Sequence, residues 1–211
     1  MYFCSKYKNW EHMTTSIDIA RRIAEVNHPL SRESVHALAE ILVCRKYRKG
    51  EIVLQAGEVC KSMLFIEKGM LRQFYYKYDK DLTEHIGYEN GVIICIESYF
   101  KQEPTRLMVE TLEASVVWEL PRVEVEKLID QYHDIERLYR GFIEHSLIES
   151  QVKADTLRFE PAHERYNKLL QTSSRDIEAC ASCVHRFLIT DDSRNLEPCP
   201  FFLALELINQ S

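Results

Sequence analysis

The chain has 211 residues, enough for one or two domains with a hydrophobic core. Hydrophobic residues make up 45% of it and charged residues 28%, as in ordinary globular proteins, and no apolar run is long enough to span a membrane. The net charge of −6 argues against a surface built throughout for nucleic acid. The seven cysteines lie mostly singly, which favours a reducing compartment, so we expect a cytoplasmic protein.

The N-terminal part predicts a leader followed by two short helices. Residues 1–13 show no periodicity and end at a second methionine, so we interpret them as a leader that is foreign to the native protein. Ser16 is expected to cap a first helix with an apolar face, and Ser31 to begin a second one.

Between Lys49 and Tyr76, short runs rich in β-branched and aromatic residues alternate with single glycines. Glycine enters positive φ without steric cost, so each glycine should mark a reversal of the chain. Strands this short, with closely spaced turns, predict a small antiparallel barrel or jelly roll from about Cys44 to Leu120. The glycines concerned are Gly50, Gly57 and Gly69.

Further strands and a helix are predicted along the rest of this segment. Residues 82–88 form the next predicted strand, and Asn90-Gly91 is a turn signal. The apolar run Val92 to Ile96 predicts a strand buried on both faces, and residues 109–120 hold the closing strands. Pro121 fits the first turn of a helix over 122–132. Three cysteines lie in apolar surroundings and are expected in the core: Cys44, Cys60 and Cys95.

From Asp134 onward the apolar period becomes helical, and Asp134 is a suitable N-cap. The apolar stripe of this helix is broad enough for two uses: one flank can cover the barrel while the other pairs with a second copy of the chain. Gly141 costs about 1 kcal/mol in a helix interior, a cost easier to accept where two backbones approach closely. The stripe comprises Ile135, Leu138, Tyr139, Phe142, Ile143, Leu147 and Val152.

The order Lys-Gly-Glu, Gly-Glu and Phe-Ile-Glu-Lys-Gly over residues 49–69 resembles the cyclic-nucleotide-binding fold. Within that fold, the chain resembles the catabolite-activator / fumarate-nitrate regulator (Crp/Fnr) family of bacterial transcription factors over about residues 17–170. The resemblance implies an α+β fold: an antiparallel jelly roll with two N-terminal helices in a sensor domain at 14–132, then a dimerisation helix at 133–160. It implies a homodimer. Its interface would hold Ile135, Leu138, Tyr139, Phe142, Ile143 and Leu147. The lack of a membrane-length apolar run argues separately against membrane association.

The resemblance also places an effector site. Relatives that bind a cyclic nucleotide use Gly-Glu, a short helix, and an arginine followed by a small residue; here Ile96 replaces the glycine and Leu107 the small residue. The corresponding effector residues are Glu97, Ser98, Tyr99 and Arg106, for a cyclic nucleotide or another small effector. The alternative is an ion pair between Glu97 and Arg106 that holds the loop to the barrel.

Four tyrosines are candidates for lining the effector cavity, or else plain core residues: Tyr75, Tyr76, Tyr88 and Tyr99. The N-terminal cysteine spacing of the iron–sulfur members of the family is missing, since Cys4 stands alone, so no such cluster is expected. The chain contains no catalytic motif, and we expect no enzyme activity and no catalytic residue.

The C-terminal sequence departs from the family. Residues 161–173 match the first helix of the family's helix-turn-helix domain, but residues 174–211 lack that motif and are acidic on balance. Codons read one base later can encode a recognition-helix sequence there, so we interpret 174–211 as an out-of-frame tail after a frameshift. No DNA-binding residue would then be retained, and the alternative is a stand-alone ligand-binding and dimerisation module. A zinc site is the weaker interpretation of Cys180, Cys183, His185 and Cys199.

Overall fold

The computed structural model describes residues 14–78, 80–161 and 164. The fold is α+β, as predicted, with eight strands and five helices in the described part of the chain. The predictions for the leader (1–13), for nearly all of the helix at 161–173, and for the tail (174–211), including its four candidate zinc ligands, lie outside the described residues.

The two N-terminal helices form where expected, but the residue that caps the first one differs from the predicted residue. Thr15 rather than Ser16 caps α1 (Ser16–Asn27): its hydroxyl accepts a hydrogen bond from the Asp18 amide at 3.2 Å, and the Asp18 carboxylate accepts from the Thr15 amide at 3.1 Å. This reciprocal capping box satisfies two otherwise unpaired donors. Ser31, predicted to begin the second helix, is the N-cap residue of α2 (Arg32–Ile41). Each helix buries an apolar face in the core: Ile19, Ala20, Ile23 and Ala24 of α1, and Val35, Leu38 and Ala39 of α2.

Eight strands form two four-stranded antiparallel sheets, which confirms the jelly roll. The first sheet has the order β1-β8-β3-β6 and the second β2-β7-β4-β5. Gly50, Gly57 and Gly69 have φ values of 78°, 91° and 98°, so all three lie in the left-handed region that favours glycine. The strands are β1 (Val43–Tyr47), β2 (Ile52–Leu54), β3 (Ser62–Lys68), β4 (Leu71–Lys77), β5 (Lys80–Gly87), β6 (Val92–Ile93), β7 (Met108–Thr111) and β8 (Ser115–Pro121).

Two predictions in the barrel segment are wrong. The strand predicted from Val92 to Ile96 stops at Ile93, because the chain leaves the sheet there and Ile96 opens the short helix α3 (Ile96–Lys101). Cys44 is exposed rather than in the core. The reason is its strand: β1 lies at the edge of its sheet, pairs with β8 alone, and exposes its three central residues.

Two helices follow the barrel. Pro121 precedes α4 (Arg122–Gln131) as its N-cap, and α5 (His133–Phe159) has 27 residues, which makes it about 40 Å long. The prediction that Asp134 is the N-cap of α5 is wrong, because the N-cap residue is Tyr132. The Asp134 carboxylate instead accepts hydrogen bonds from the Ser31 amide at 2.7 Å and the Ser34 hydroxyl at 2.6 Å, which ties α2 to α5. Among the described residues, no helix combines the length and apolar character that a membrane crossing requires.

Candidate functional site

A cavity of about 630 Å³ lies between the second sheet, the segment around α3, and the C-terminal half of α5. Its volume is within the range that holds small ligands. Carboxylates outnumber cations in its wall: Glu84, Glu97, Glu103 and Glu149 face Arg106 and Lys153, with His85 beside them. The cavity therefore carries both signs of charge, with an acidic excess.

The predicted effector residues Glu97 and Arg106 both line this cavity, and they do not form the ion pair that we considered as the alternative. Glu97 Oε1 instead accepts from Lys101 Nζ at 2.8 Å, one turn along α3. The Lys101 ammonium, and more weakly Arg106, lowers the pKa of Glu97, so this exposed side chain stays ionised. Arg106 is exposed, and its guanidinium is the cation that the cassette contributes to the cavity.

Ser98 lines the cavity, but its buried hydroxyl already makes two hydrogen bonds within the protein. It accepts from the Cys60 amide at 2.9 Å and donates to the Glu103 carbonyl at 2.5 Å. These two bonds join the loop before β3, the helix α3, and the loop after it. Ser98 therefore fixes the shape of the cassette in this structure.

Tyr99 does not line the cavity. It is fully buried in the core, where Arg122 lies over its ring at 5.6 Å and Arg122 Nη1 donates to its carbonyl at 2.6 Å. Burial and the neighbouring Tyr139 raise the pKa of Tyr99, so its hydroxyl stays protonated. The other three tyrosines do not border this cavity either: Tyr75 is half-buried, and Tyr76 and Tyr88 are exposed.

The wall supplied by α5 was missed by the sequence reasoning. Lys153 reaches across to β5 and donates from Nζ to the Glu84 carbonyl, and burial lowers its pKa. Burial likewise lowers the pKa of His85 on β5, which favours the neutral imidazole. The sequence did contain an indication of this wall: the stripe of Ile135 and Phe142 continues along α5 at helical spacing, but its later members are polar. Its polar members are Ser146, Glu149, Ser150 and Lys153.

The six residues predicted at a dimer interface divide into two groups. Ile135, Leu138 and Phe142 are buried in the core of their own protomer, on the part of the chain where α5 packs against α4 and α1. Tyr139 and Ile143 are partly buried, and Leu147 is 68% exposed. Exposed apolar side chains on this helix lie further along and also include Ile148, Val152 and Phe159.

Residues 44–132 match the protein-family model described as the cyclic nucleotide-binding domain. This segment of the chain is therefore similar to cyclic nucleotide-binding domains. No curated protein matched the sequence. The cavity described above borders this domain on one side and α5, which lies beyond the matched residues, on the other.

Solved structures share the fold of this matched segment and its flanking helices. The Thermus thermophilus catabolite activator protein is 18% identical, with a TM-score of 0.54 over 79% of this chain and 81% of that one. A cyclic nucleotide-binding domain from Methylobacillus flagellatus is 17% identical, with a TM-score of 0.58 over 75% of this chain and 92% of that one.

The c-di-GMP responsive global regulator CLP of Xanthomonas campestris is 14% identical, with a TM-score of 0.57 over 70% of this chain and 74% of that one. At these identities the likeness concerns the fold. The fold is shared with a regulator of the Crp/Fnr family among the solved structures.

Proposed function

We propose that this chain is the effector-sensing and dimerising portion of a Crp/Fnr-type transcription regulator. The effector is a small molecule that binds in the cavity between the jelly roll and α5, and a cyclic nucleotide is the class to test first. Such a regulator works in the cytoplasm.

The observation that supports the proposal is that α5 lines the cavity on one side and exposes an apolar face on the other. One side of the helix forms a cavity wall through Ser146, Ser150 and Lys153, and Lys153 bonds to the Glu84 carbonyl of β5. A ligand in the cavity would compete with that bond or add to it, so its occupancy would shift the position of α5. A ligand shifts an equilibrium only through contacts that differ between two states. The bond from Lys153 to the Glu84 carbonyl is the contact that we expect to differ.

The charges of the cavity suit a ligand with one compact anionic group and several hydrogen-bonding groups. Arg106 and Lys153 are the cations available for a phosphate, and the Ser146 and Ser150 hydroxyls can bind the polar edge of a base. The four carboxylates of the wall disfavour a ligand of high negative charge. Ile96 departs from the glycine of the family's cassette, so we expect a weaker grip on the phosphate than in typical members.

The other side of α5 supports dimerisation. Gly141, Ile148, Val152 and Phe159 follow one another at intervals of seven, four and seven residues, which places them on one face. Ile148, Val152 and Phe159 are exposed in the protomer. A second α5 packed along this face would bury them, and the helix would then link the cavity directly to the subunit interface.

Calorimetric titration with cyclic AMP and cyclic GMP tests the effector site. We expect binding in the micromolar range that is lost in Arg106→Ala. Arg45→Ala is the matched control, because Arg45 is an exposed arginine on β1 that pairs with Glu119 and does not line the cavity. Absence of heat with both nucleotides, or equal binding by Arg106→Ala and the wild type, would refute a cyclic nucleotide as the effector.

A stand-alone sensor without DNA binding is the second candidate, favoured by the absence of a helix-turn-helix sequence after residue 173. A gel-shift assay at low salt distinguishes the two candidates. A working DNA-binding domain retards promoter DNA with a steep salt dependence, whereas a stand-alone sensor leaves the DNA unshifted.

A further inference from the structure

A second cavity, of about 600 Å³, borders the first one along β5 and α5. Its wall is formed mainly by the end of α1, the end of β5 with the turn at 88–91, and the middle of α5. Neither Arg106 nor Lys153 lines it, and the proposed function does not use it. The residues common to both cavities are His85, Val92, Ile94, Ser146 and Glu149.

The deep part of the second cavity is apolar. Met63 and Phe142 line it, belong to the hydrophobic core, and are 2% and 8% exposed. Ile86, Val92 and Ile143 add partly buried apolar side chains to the wall. An apolar group that leaves water for this surface is stabilised by the hydrophobic effect, and the volume lies in the range of small-ligand sites. The cavity therefore suits an aromatic ring or a short alkyl chain.

The mouth of the second cavity is acidic. Glu89 and Glu149 are exposed and border it from two sides, one from the turn after β5 and the other from α5. Within the described part of the chain, no lysine or arginine lines this cavity. Burial lowers the pKa of His85, so its neutral imidazole adds no positive charge and offers an acceptor nitrogen. The other lining histidine, His145, has its Nε2 3.4 Å from Glu149 Oε1.

The turn that carries Glu89 is held in place by hydrogen bonds. The Asn90 side-chain oxygen accepts from Arg22 Nη2 at 2.6 Å, and the Asn90 amide donates to the Ile66 carbonyl at 2.8 Å. The Gly69 amide donates to Glu89 Oε1 at 3.4 Å. This side of the mouth is therefore formed without a ligand, which lowers the cost of ordering it when a ligand binds.

We propose that the second cavity binds a small amphipathic amine. The apolar body of the amine lies against Met63 and Phe142, and its ammonium group donates hydrogen bonds to the carboxylates of Glu89 and Glu149 at the mouth. Tyr88 also lines this cavity, and an aromatic ring attracts an ammonium group. Because Glu149 belongs to both cavities, a bound amine would also offset one carboxylate of the first cavity. That consequence rests on the proposed function, whereas the amine site itself does not.

An NMR titration of the isotope-labelled full chain tests the site. The probe is 2-phenylethylamine at pH 8, above the usual titration range of histidine and below that of alkyl amines. We expect a dissociation constant of about 1 mM for a ligand of this size, with shift changes concentrated at residues 85–91 and 141–149. 2-Phenylethanol, which lacks the charge, and ethylamine, which lacks the ring, should each bind about fivefold more weakly or worse.

Single substitutions locate the ammonium group. Glu89→Gln and Glu149→Gln should each weaken amine binding about two- to fivefold and leave the binding of 2-phenylethanol unchanged. Glu103→Gln is the matched control, because Glu103 lines the first cavity and not the second. It removes the same charge and should leave amine binding as in the wild type.

Three results would overturn the proposal. The first is no shift change at an amine concentration about twentyfold above the expected dissociation constant. The second is an alcohol that binds as tightly as the amine, or amine binding that neither Glu89→Gln nor Glu149→Gln weakens. The third is a set of shift changes centred on 97–106 together with weaker binding in Glu103→Gln, which would place the amine in the first cavity. No nucleotide is present in these titrations, so their failure is distinct from a failure of the proposed function.

Discussion

Gly141→Ala should change stability and self-association in opposite directions. A Cβ built at Gly141 meets no atom within 4 Å in the protomer, although the residue lies inside α5. Within one protomer the change therefore brings only the higher helix propensity of alanine. That gain is about 1 kcal/mol in the free energy of unfolding. It corresponds to about a fivefold change in the unfolding equilibrium constant, or about 2–4 °C in Tm for a chain of this size.

In a dimer, the same substitution should weaken the association of the two subunits. If α5 pairs along the face of Gly141, Ile148 and Val152, the new methyl group holds the two helices apart and raises the dissociation constant of the dimer. Urea unfolding at low protein concentration measures the first effect, and sedimentation equilibrium over a range of concentrations measures the second. Ala154→Gly is the control: it reverses the propensity change in the same helix, about 140° around the axis from Gly141, and should leave association unchanged.

If Gly141→Ala stabilises the protein equally at all concentrations and leaves the dissociation constant as in the wild type, a second α5 does not pack along this face. A wild-type chain that stays monomeric at the highest concentration would refute dimerisation itself.

Two further predictions concern the fold. In urea unfolding, Gly69→Ala should lower the free energy of unfolding more than Gly50→Ala does. Both residues have positive φ, which costs alanine about 1–2 kcal/mol, but only at Gly69 would the new Cβ also collide with Ser115. Equal losses in the two variants would contradict this prediction. Burial raises the pKa of Asp134, but the hydrogen bonds from α2 outweigh it and lower that pKa. Asp134→Asn should therefore lose about 1–3 kcal/mol at neutral pH. The loss should shrink as pH falls through the lowered pKa, because the carboxylate's contribution is present above its unfolded pKa and disappears below its folded one. Unfolding measured from pH 7 downward checks this, with the exposed Asp130→Asn as a control that should change little at any pH.

Local signals predicted the sheet region of this chain well. Glycine at positive φ is a requirement of the backbone at one residue, so Gly50, Gly57 and Gly69 marked their reversals without knowledge of the rest of the fold. The helical stripe from Ile135 to Phe142 similarly identified the residues that α5 buries in the core, because a period of 3.6 residues is a property of the helix itself.

The errors arose where a distant partner decides the outcome. Asp134 is a good N-cap by residue type, but Ser31 and Ser34 of α2 use its carboxylate instead. Cys44 has apolar neighbours in sequence, but it lies on an edge strand. Tyr99 falls within the effector cassette, yet α3 turns it into the core.

Sequence reasoning therefore identified only one of the two walls of the candidate site. The cassette around Glu97 and Arg106 was identified through the family resemblance, and these residues do line the cavity. The opposite wall comes from a helix about fifty residues further along the chain, and its place there depends on how α5 packs on the barrel.

The central claim is that α5 forms a wall of the effector cavity and responds to the ligand. Hydrogen exchange of the full chain, measured with and without saturating cyclic AMP or cyclic GMP, tests it most directly. We predict slower amide exchange in two segments at once, the cassette at 97–106 and the α5 segment at 146–153. Nucleotide binding that leaves exchange in 146–153 unchanged, or no change in either segment with both nucleotides, would contradict the account.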